Sequence, residues 1–273
     1  GTINGGQTLA LAAGSGAGTF NGAVGGSSSL TSINKTGSGS VTFNATNGVN
    51  PTVSTSGNQS YSGAVVLGAN QYFQAVTGDL TFSGDINSAN STARDFKTSV
   101  NNVTLANVGN NFAVGYMELN SAFLTNLNGT INADSLVTNA GGTTNINTSS
   151  ITTVNGQLYG DSVALGSDTT LNSSSNNGTI QFNNTVDGAH ALAINSGSGA
   201  VTFDSDVGLT TALTNLSSTG SGTVTFTGSV GDASHRLSSV AITGATAING
   251  GNVYTSGNQT FSGAATANAN LTL

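Results

Sequence analysis

Short bursts of alternating apolar and polar residues recur along the chain. Three of them read alike: Val41-Thr42-Phe43, Val201-Thr202-Phe203 and Val224-Thr225-Phe226. Alternation with a period of two points Val and Phe to one face of a strand and Thr to the other. Clusters rich in Gly and Asn separate the bursts, which predicts turns. The pattern therefore predicts many short β-strands, and the abundance of Gly, Thr, Val, Ser and Asn disfavours helices.

The strands recur with a period of about 21–23 residues. Gly-Ser-Gly precedes a strand four times, in two pairs with the same spacing: Gly14 with Gly37, and Gly197 with Gly220. One period carries about three apolar clusters, which predicts three short strands per turn of a coil. A single turn cannot bury its apolar face alone, so turns stack on one another. The sequence predicts one elongated, all-β parallel β-solenoid of roughly twelve turns over residues 1–273.

Large aromatic residues close many of the predicted strands. If they point inward at equivalent positions of successive turns, they stack into a ladder along the core. An aliphatic residue follows four positions after most of them, as Val186 follows Phe182, which predicts a second inward column. The predicted aromatic ladder comprises Phe20, Phe43, Tyr61, Phe82, Tyr159, Phe182, Phe203, Phe226 and Phe261.

A longer repeat overlies the turn repeat. The segment Thr55–Ala64 returns without a gap as Thr255–Ala264, and a degenerate copy lies near the midpoint at Gly156–Gly166. The opening Ile3-Asn4-Gly5-Gly6 also recurs as Ile248-Asn249-Gly250-Gly251. Nested duplication of this kind is typical of a spacer that has grown by copying.

Three motifs carry a resemblance to a known group: Gly-Asn-Gln-x-Tyr/Phe-Ser-Gly-Ala, Gly-Ser-Gly-x-Val-Thr-Phe and Ile-Asn-Gly-Gly. They resemble the repeat regions of large bacterial exoproteins, above all the filamentous-haemagglutinin-like adhesins of the two-partner secretion type, with autotransporter passengers as neighbours. The resemblance covers most of the chain except about residues 85–150. It implies a right-handed parallel β-helix, export across the outer membrane, and a stalk or fibre role at the bacterial cell surface. The amino-terminal secretion module of that group is not recognisable in this sequence.

Composition excludes several classes of function. The chain has four Lys and Arg, eleven Asp and Glu, and no Cys, so it holds neither disulfides nor thiolate metal sites. Four basic residues and a net charge of -7 disfavour nucleic-acid binding, which needs clustered Lys and Arg. A hydrophobic content of 36% disfavours charge-driven disorder. No apolar run is long enough to predict a transmembrane helix.

Residues 85–150 differ from the rest of the chain. They hold a local charge cluster in a chain that is only 5% charged, and their aromatic residues fall outside the clear period. One interpretation is a protruding loop or extra element that contacts a partner, such as a surface glycan or a host protein. The others are drifted turns whose aromatics lie in the core, or a β-sandwich. The candidate contact residues are Arg94, Asp95, Phe96, Lys97 and Tyr116.

Catalysis and metal binding have little support in the sequence. Some parallel β-helices are polysaccharide lyases or hydrolases, which is the enzyme alternative. The closest paired carboxylates, Asp204 and Asp206, have no acidic equivalents one turn later, so no acidic ladder is expected. His190 and His235 lie roughly two turns apart, and a two-His metal site between them would have no supporting carboxylate. We therefore predict no catalytic residue, metal or cofactor.

A third class of function rests on threonines expected to point outward. Stacked in one row, they would form a flat array that binds ice, although strands also use Thr generically for its β-propensity. The threonines concerned are Thr42, Thr81, Thr202 and Thr225.

Together the patterns predict a non-enzymatic, secreted structural or adhesive β-helix in a cell-surface stalk or extracellular fibre. Few charges leave little repulsion between neighbouring molecules, and open strand edges invite pairing. We therefore expect self-association end to end, or continuation into flanking repeats of the same polypeptide. Neither nucleic-acid binding nor membrane insertion is expected.

Overall fold

The structure, a computed structural model, describes residues 1–46 and 51–271. It is all-β, with parallel strands stacked in about 12 turns, which confirms the predicted β-solenoid. A single 3-10 turn at Ser174–Asn176 is the only helical element in these two ranges. Within the same ranges, no helix is long and apolar enough to span a membrane. The chain divides into two compact units, Gly1–Leu136 and Val137–Leu273.

The first unit contains three stacks of parallel strands. The first stack is β1, β3, β6, β9 and the second halves of β11 and β12; the second is β2, β4, β7 and β10; the third is β5, β8 and the first halves of β11 and β12. The strands are β1 (Thr8–Ala12), β2 (Gly18–Phe20), β3 (Ser32–Thr36), β4 (Val41–Phe43), β5 (Val53–Thr55), β6 (Gln59–Tyr61), β7 (Val65–Leu67), β8 (Gln71–Ala75), β9 (Leu80–Phe82), β10 (Ile86–Ser88), β11 (Phe96–Leu105) and β12 (Val114–Leu127), followed by β13 (Ile131–Thr138) across the unit boundary.

The second unit repeats the three-stack arrangement. One stack is β16, β19, β22, β24, β26 and β28; another is β15, β18, β21, β23, β25 and β27; the third is β14, β17 and β20, continued by bridges through Val207, Val230 and Val253. The strands are β14 (Thr143–Ile146), β15 (Ser150–Thr153), β16 (Gln157–Tyr159), β17 (Ser162–Leu165), β18 (Thr169–Asn172), β19 (Ile180–Phe182), β20 (Val186–Asp187), β21 (Leu192–Asn195), β22 (Val201–Phe203), β23 (Asn215–Ser218), β24 (Val224–Phe226), β25 (Ser239–Ile242), β26 (Thr246–Ile248), β27 (Gln259–Phe261) and β28 (Ala265–Ala267).

Turn length varies more than the sequence period predicts. Thr246 pairs with Ala265, a step shorter than the predicted period. Ile33 pairs with Gln59, a step longer than the predicted period. Except within the β11–β12 pair, strand registers stay in phase because the corners between strands take up the difference.

The Gly-Ser-Gly motifs lie at corners where successive turns approach closely. A Cβ atom on Gly39 would overlap the carbonyl oxygen of Gly16, and one on Gly222 would overlap that of Gly199. Only glycine allows backbones to come this close. In each pair, the second copy of the motif therefore packs against the first copy, one turn earlier.

Residues 85–150 contain the longest strands of the chain. β11 has 10 residues and β12 has 14, because each runs through a corner and joins two stacks. Between Val100 and Asn102 the register with β12 shifts, so Ala122 and Phe123 bulge outward opposite Asn101. The clear period is lost in the sequence because one long strand takes the place of two short ones. The pairings of β11 with its neighbours are parallel, unlike the antiparallel pairs of a sandwich.

Candidate functional site

The candidate contact residues divide between the core and the surface of the first unit. Phe96 is fully buried and pairs with Gln71 on one side and Met117 on the other. Its neighbour Lys97 points outward because side chains alternate along β11. The structure therefore removes Phe96 from the contact region and places it in the core.

Lys97 and Tyr116 come together on the outer face with Glu118, a residue that is not among the predicted contact residues. Lys97 Nζ lies 3.0 Å from Glu118 Oε2 and 5.0 Å from the centre of the Tyr116 ring. Asn120 Nδ2 donates to Glu118 Oε1 at 3.0 Å. The signal was present in the sequence, since Glu118 follows Lys97 by one turn of the solenoid.

The pKa shifts of Lys97 and Glu118 both agree with an ion pair between them. The hydrogen bond to Glu118 raises the pKa of Lys97. Burial raises the pKa of Glu118, but hydrogen bonds from Lys97 and Asn120 outweigh that effect, so its pKa is lowered overall. Both side chains are about one-third exposed or less, so solvent weakens the pair only in part.

Asp95 ties neighbouring turns together and is not free for a partner. Its Oδ1 accepts from the Tyr116 amide at 2.9 Å, and its Oδ2 accepts from Asn70 Nδ2 at 3.0 Å. The Asp95 amide in turn donates to Asn70 Oδ1 at 3.1 Å. Asp95 thus joins the turn before it to the turn after it.

Arg94 is the one basic side chain of the described ranges that has no partner. Its guanidinium makes no hydrogen bond or ion pair there, and its Nε atom is buried. It lines a cavity of about 210 Å³ with Thr46, Ala69 and Asn70. The other basic side chains are occupied: Lys97 by Glu118, Lys35 by the carbonyl oxygens of Gly37, Gly39 and Ser62, and Arg236 by the carbonyl oxygen of Thr255 and the ring of Tyr254.

A groove of about 490 Å³ lies on the outer face of β7 and β10. Phe112, 43% exposed, forms one wall. Asn87 Oδ1 accepts from the Asn111 amide at 2.9 Å, which fixes the corner that carries Phe112. None of the lining residues is titratable: Ala64, Val66, Asn87, Ser88, Ala89, Asn111 and Phe112.

Ser88 joins this groove to Arg94. Its amide donates to the Phe112 carbonyl oxygen at 3.2 Å, and its hydroxyl accepts from the Arg94 amide at 2.9 Å. The same hydroxyl donates to the Ala113 carbonyl oxygen at 2.8 Å. The backbones of Arg94 and Phe112 are therefore each one hydrogen bond away from the same serine.

The predicted aromatic ladder forms separate columns instead of one. Phe20 stacks on Phe43 in the second stack of the first unit, whereas Tyr61 stacks on Phe82 in the first stack. Phe43 and Tyr61 are less than one turn apart along the chain and meet edge to face at 5.9 Å. In the second unit four rings stack at centroid distances of 5.0, 4.8 and 5.2 Å: Tyr159, Phe182, Phe203 and Phe226.

Phe261 belongs to a different stack from Phe226. It pairs with Ile242 in β25, while the column that holds Phe226 continues through Ile248 and Ala267. The separation between Phe226 and Phe261 is therefore not a whole number of turns. Phe226 and Phe261 therefore belong to different columns of the second unit.

A buried polar network, which we name the Thr-Gln-Tyr corner, explains the longer sequence repeat. Tyr159 donates its hydroxyl to Gln157 Oε1 at 2.9 Å, Gln157 Nε2 donates to Thr153 Oγ1 at 3.2 Å, and Thr153 Oγ1 donates to the Asn155 carbonyl oxygen at 2.7 Å. Tyr159, Gln157 and Thr153 are all at most 1% exposed. Burial raises the pKa of Tyr159, which therefore remains a hydrogen-bond donor.

The corner occurs three times, with one difference. Tyr61, Gln59 and Thr55 make the same bonds, with Tyr61 donating to Gln59 Oε1 at 3.0 Å. In the third copy Gln259 Nε2 donates to Thr255 Oγ1 at 3.2 Å, but Phe261 has no hydroxyl. Gln259 Oε1 is accordingly buried without a partner in the described ranges.

The carboxylates of the chain mostly tie one turn to the next. Asp204 Oδ2 accepts from Gln181 Nε2 at 2.7 Å, whereas Asp206 Oδ1 accepts from the Ser229 amide at 2.8 Å, so this pair faces different partners. At least eight acidic residues of the described ranges accept a hydrogen bond from a residue on a neighbouring turn: Asp79, Asp85, Asp95, Asp161, Asp168, Asp187, Asp204 and Asp206.

The two histidines each lie beside a separate aspartate. His190 Nδ1 is 3.4 Å from Asp168 Oδ1, and His235 Nδ1 is 3.2 Å from Asp232 Oδ1. A hydrogen bond from the Ala191 amide lowers the pKa of Asp168, and one from the His235 amide lowers that of Asp232. In the part of the chain that the structure describes, no group of three or more His, Cys, Asp or Glu could hold a metal ion.

Asp161 is a carboxylate buried in the core of the second unit. It is 0% exposed and accepts from the Gly142 amide at 2.7 Å and from Thr144 Oγ1 at 3.2 Å. Burial raises its pKa, and these two hydrogen bonds oppose the shift only in part.

The four threonines do not form one row. Thr202 and Thr225 are neighbours in one column of the second unit, where Gln181 precedes them and Ala247 follows. Thr42 lies in the second stack of the first unit and pairs with Thr19 and Val66. Thr81 lies in the first stack of that unit, where Ser60 and Thr104 are its neighbours.

In comparisons with known proteins, no protein-family model, no curated protein and no solved structure matches the chain.

Proposed function

We propose that this chain is a non-enzymatic structural segment of an exported bacterial stalk or fibre, in keeping with the resemblance of its repeats to filamentous-haemagglutinin-like exoproteins. The observation that carries the proposal is the use of its few charged groups. Eight carboxylates hold a neighbouring turn, and Glu118 pairs with Lys97 on the turn before it. Side chains used in this way stabilise a stack and are not free to act on a substrate.

Neutral side chains also form hydrogen bonds between successive turns. Asn44 Nδ2 donates to Asn21 Oδ1 at 2.8 Å, and Asn268 Nδ2 donates to Asn249 Oδ1 at 2.7 Å, each pair one turn apart. Each bond contributes about 0.5–1.5 kcal/mol, and the sum grows with the number of turns. Such additivity suits a spacer, whose length can change without a change of architecture.

We further propose that the terminal turns pair with another turn. β1 pairs only with β3, and β28 pairs only with β26, so within the described ranges each offers an unpaired parallel edge. Such an edge is a template for a further strand. The next turn comes from the same polypeptide beyond these residues or from a second copy of the chain.

Immunogold electron microscopy on the cells that make the protein tests the proposal. Label on filaments or stalks outside the outer membrane is expected. Label confined to the cytoplasm would refute both the export and the stalk role.

The enzyme alternative requires a separate assay. The purified chain, incubated with a panel of polysaccharides, should release neither unsaturated nor reducing ends. Release that is lost in Asp204→Asn would overturn the non-enzymatic assignment.

A further inference from the structure

Arg94 presents an unpaired cation in a chain that otherwise pairs the basic side chains of its described ranges. A buried guanidinium N–H without a partner is costly, and an anionic oxygen removes that cost. The only carboxylate beside it in sequence, Asp95, is held by Tyr116 and Asn70. The cavity that Arg94 lines is therefore complementary in charge to an external anion.

The groove next to Arg94 offers apolar surface and neutral hydrogen-bond donors. The exposed ring of Phe112 offers an apolar wall, and Val66 and Ala64 contribute apolar surface. The side-chain amide groups of Asn87 and Asn111 provide N–H donors that no residue of the described ranges accepts from. A mostly apolar concave surface with a few neutral polar groups and a volume of some hundreds of Å³ is typical of a small-ligand site.

We propose that Arg94 and the Phe112 groove form one binding site for an acidic oligosaccharide. The planar guanidinium takes the carboxylate of a uronic acid, since arginine and carboxylate pair through two parallel hydrogen bonds. The apolar face of a neighbouring sugar packs on Phe112, and the amides of Asn87 and Asn111 donate to its hydroxyl groups. Ser88 hydrogen-bonds to the backbones of both Arg94 and Phe112, so the main-chain segments that carry the two halves of the site meet at one serine.

The negative net charge of the chain limits how many acidic groups the ligand can carry. At -7, the protein repels a densely charged polyanion. One unpaired arginine matches one carboxylate, so the ligand carries its acidic residue among neutral sugars. An acidic peptide would satisfy Arg94 but would make no specific use of an uncharged groove lined with amides.

The site goes beyond the proposed structural role and is tested independently of it. Isothermal titration calorimetry of the purified chain uses a panel of short oligosaccharides that each carry one uronic acid. The matched methyl esters and an acidic tripeptide serve as ligand controls. Arg94→Gln and Phe112→Ser alter the two halves of the site, and Arg236→Gln is the matched control in the second unit. Circular dichroism verifies that each variant is folded.

At least one acidic oligosaccharide is expected to bind. Arg94→Gln should weaken it about tenfold or more, as expected for the loss of a charge-assisted pair. The methyl ester should weaken it similarly, Phe112→Ser should weaken it as well, and Arg236→Gln should leave it unchanged. The proposal is overturned if no member of the panel binds, or if Arg94→Gln binds as wild type does. It is equally overturned if the acidic tripeptide binds as tightly and Phe112→Ser has no effect.

Discussion

Replacing Tyr159 by Phe removes one hydroxyl from the Thr-Gln-Tyr corner and leaves the stacked rings in place. The hydroxyl donates to Gln157 Oε1 at 2.9 Å, and both side chains are at most 1% exposed. The variant therefore leaves a buried carbonyl oxygen without a donor. Removal of one partner of a buried hydrogen bond costs about 1–3 kcal/mol, because the remaining group stays desolvated.

Equilibrium unfolding in urea, followed by circular dichroism, measures this cost. Tyr159→Phe should lower the free energy of unfolding by about 1–3 kcal/mol at unchanged slope. Tyr72→Phe is the matched control, since its hydroxyl makes no hydrogen bond in the described ranges and the side chain points outward. That control should change stability by no more than about 0.5 kcal/mol.

The third corner allows the reverse experiment. Phe261→Tyr supplies the donor that Gln259 Oε1 lacks, and we expect a gain of about 0.5–1.5 kcal/mol. If Tyr159→Phe matches Tyr72→Phe, and Phe261→Tyr brings no gain, the network does not stabilise the fold and the physical explanation of the longer repeat is wrong.

Three further predictions concern other parts of the chain. Gly222→Ala should destabilise the second unit by more than the roughly 1 kcal/mol range of backbone propensity, since its Cβ would overlap the Gly199 carbonyl oxygen; a melting temperature equal to wild type would contradict this. Glu118→Gln should cost at most about 1 kcal/mol near neutral pH. Because the folded pKa of Glu118 is lowered from 4.5, its stabilisation is present above that value and disappears as the pH falls through the lower folded pKa; a stability difference that persists in acid would contradict the pairing. Asp161→Asn should show the opposite trend, since burial raises the pKa of Asp161 above 3.8. As the pH rises through the folded pKa, wild type loses stability that the variant keeps, so the free energy of unfolding of the variant should rise relative to that of wild type. Urea unfolding at several pH values measures this difference, and a difference that does not change with pH would contradict the prediction.

Local regularities made the solenoid predictable. Period-two alternation fixes which side of a strand faces inward, and the Gly-Ser-Gly spacing reports the turn length because Gly39 and Gly222 each touch a glycine one turn earlier. Both signals depend on residues close in sequence or one turn apart. The same turn spacing would have paired Lys97 with Glu118 on the following turn.

The sequence alone does not predict which stack a given residue joins. Three strands share one turn, so Phe43 and Tyr61 look alike in sequence while lying in different stacks. Long strands such as β11 conceal the period, so the charged neighbours of Phe96 predict a contact residue where alternation buries the ring. The sequence shows that Arg94 is one of few charges, but its lack of a partner depends on where Asn70 and Tyr116 lie, because these two residues hold Asp95.

Every interaction described here depends on the register in which successive turns stack, and disulfide formation measures that register directly. The chain has no Cys, so introduced pairs report without interference. Thr202 and Thr225 are register partners on adjacent parallel strands, and strands about 4.8 Å apart fall within the range that a disulfide spans. Thr202→Cys with Thr225→Cys should cross-link under mild oxidation, whereas Thr202→Cys with Ala247→Cys, two turns apart, should not. A cross-link in the second pair and none in the first would contradict the stacking of the turns.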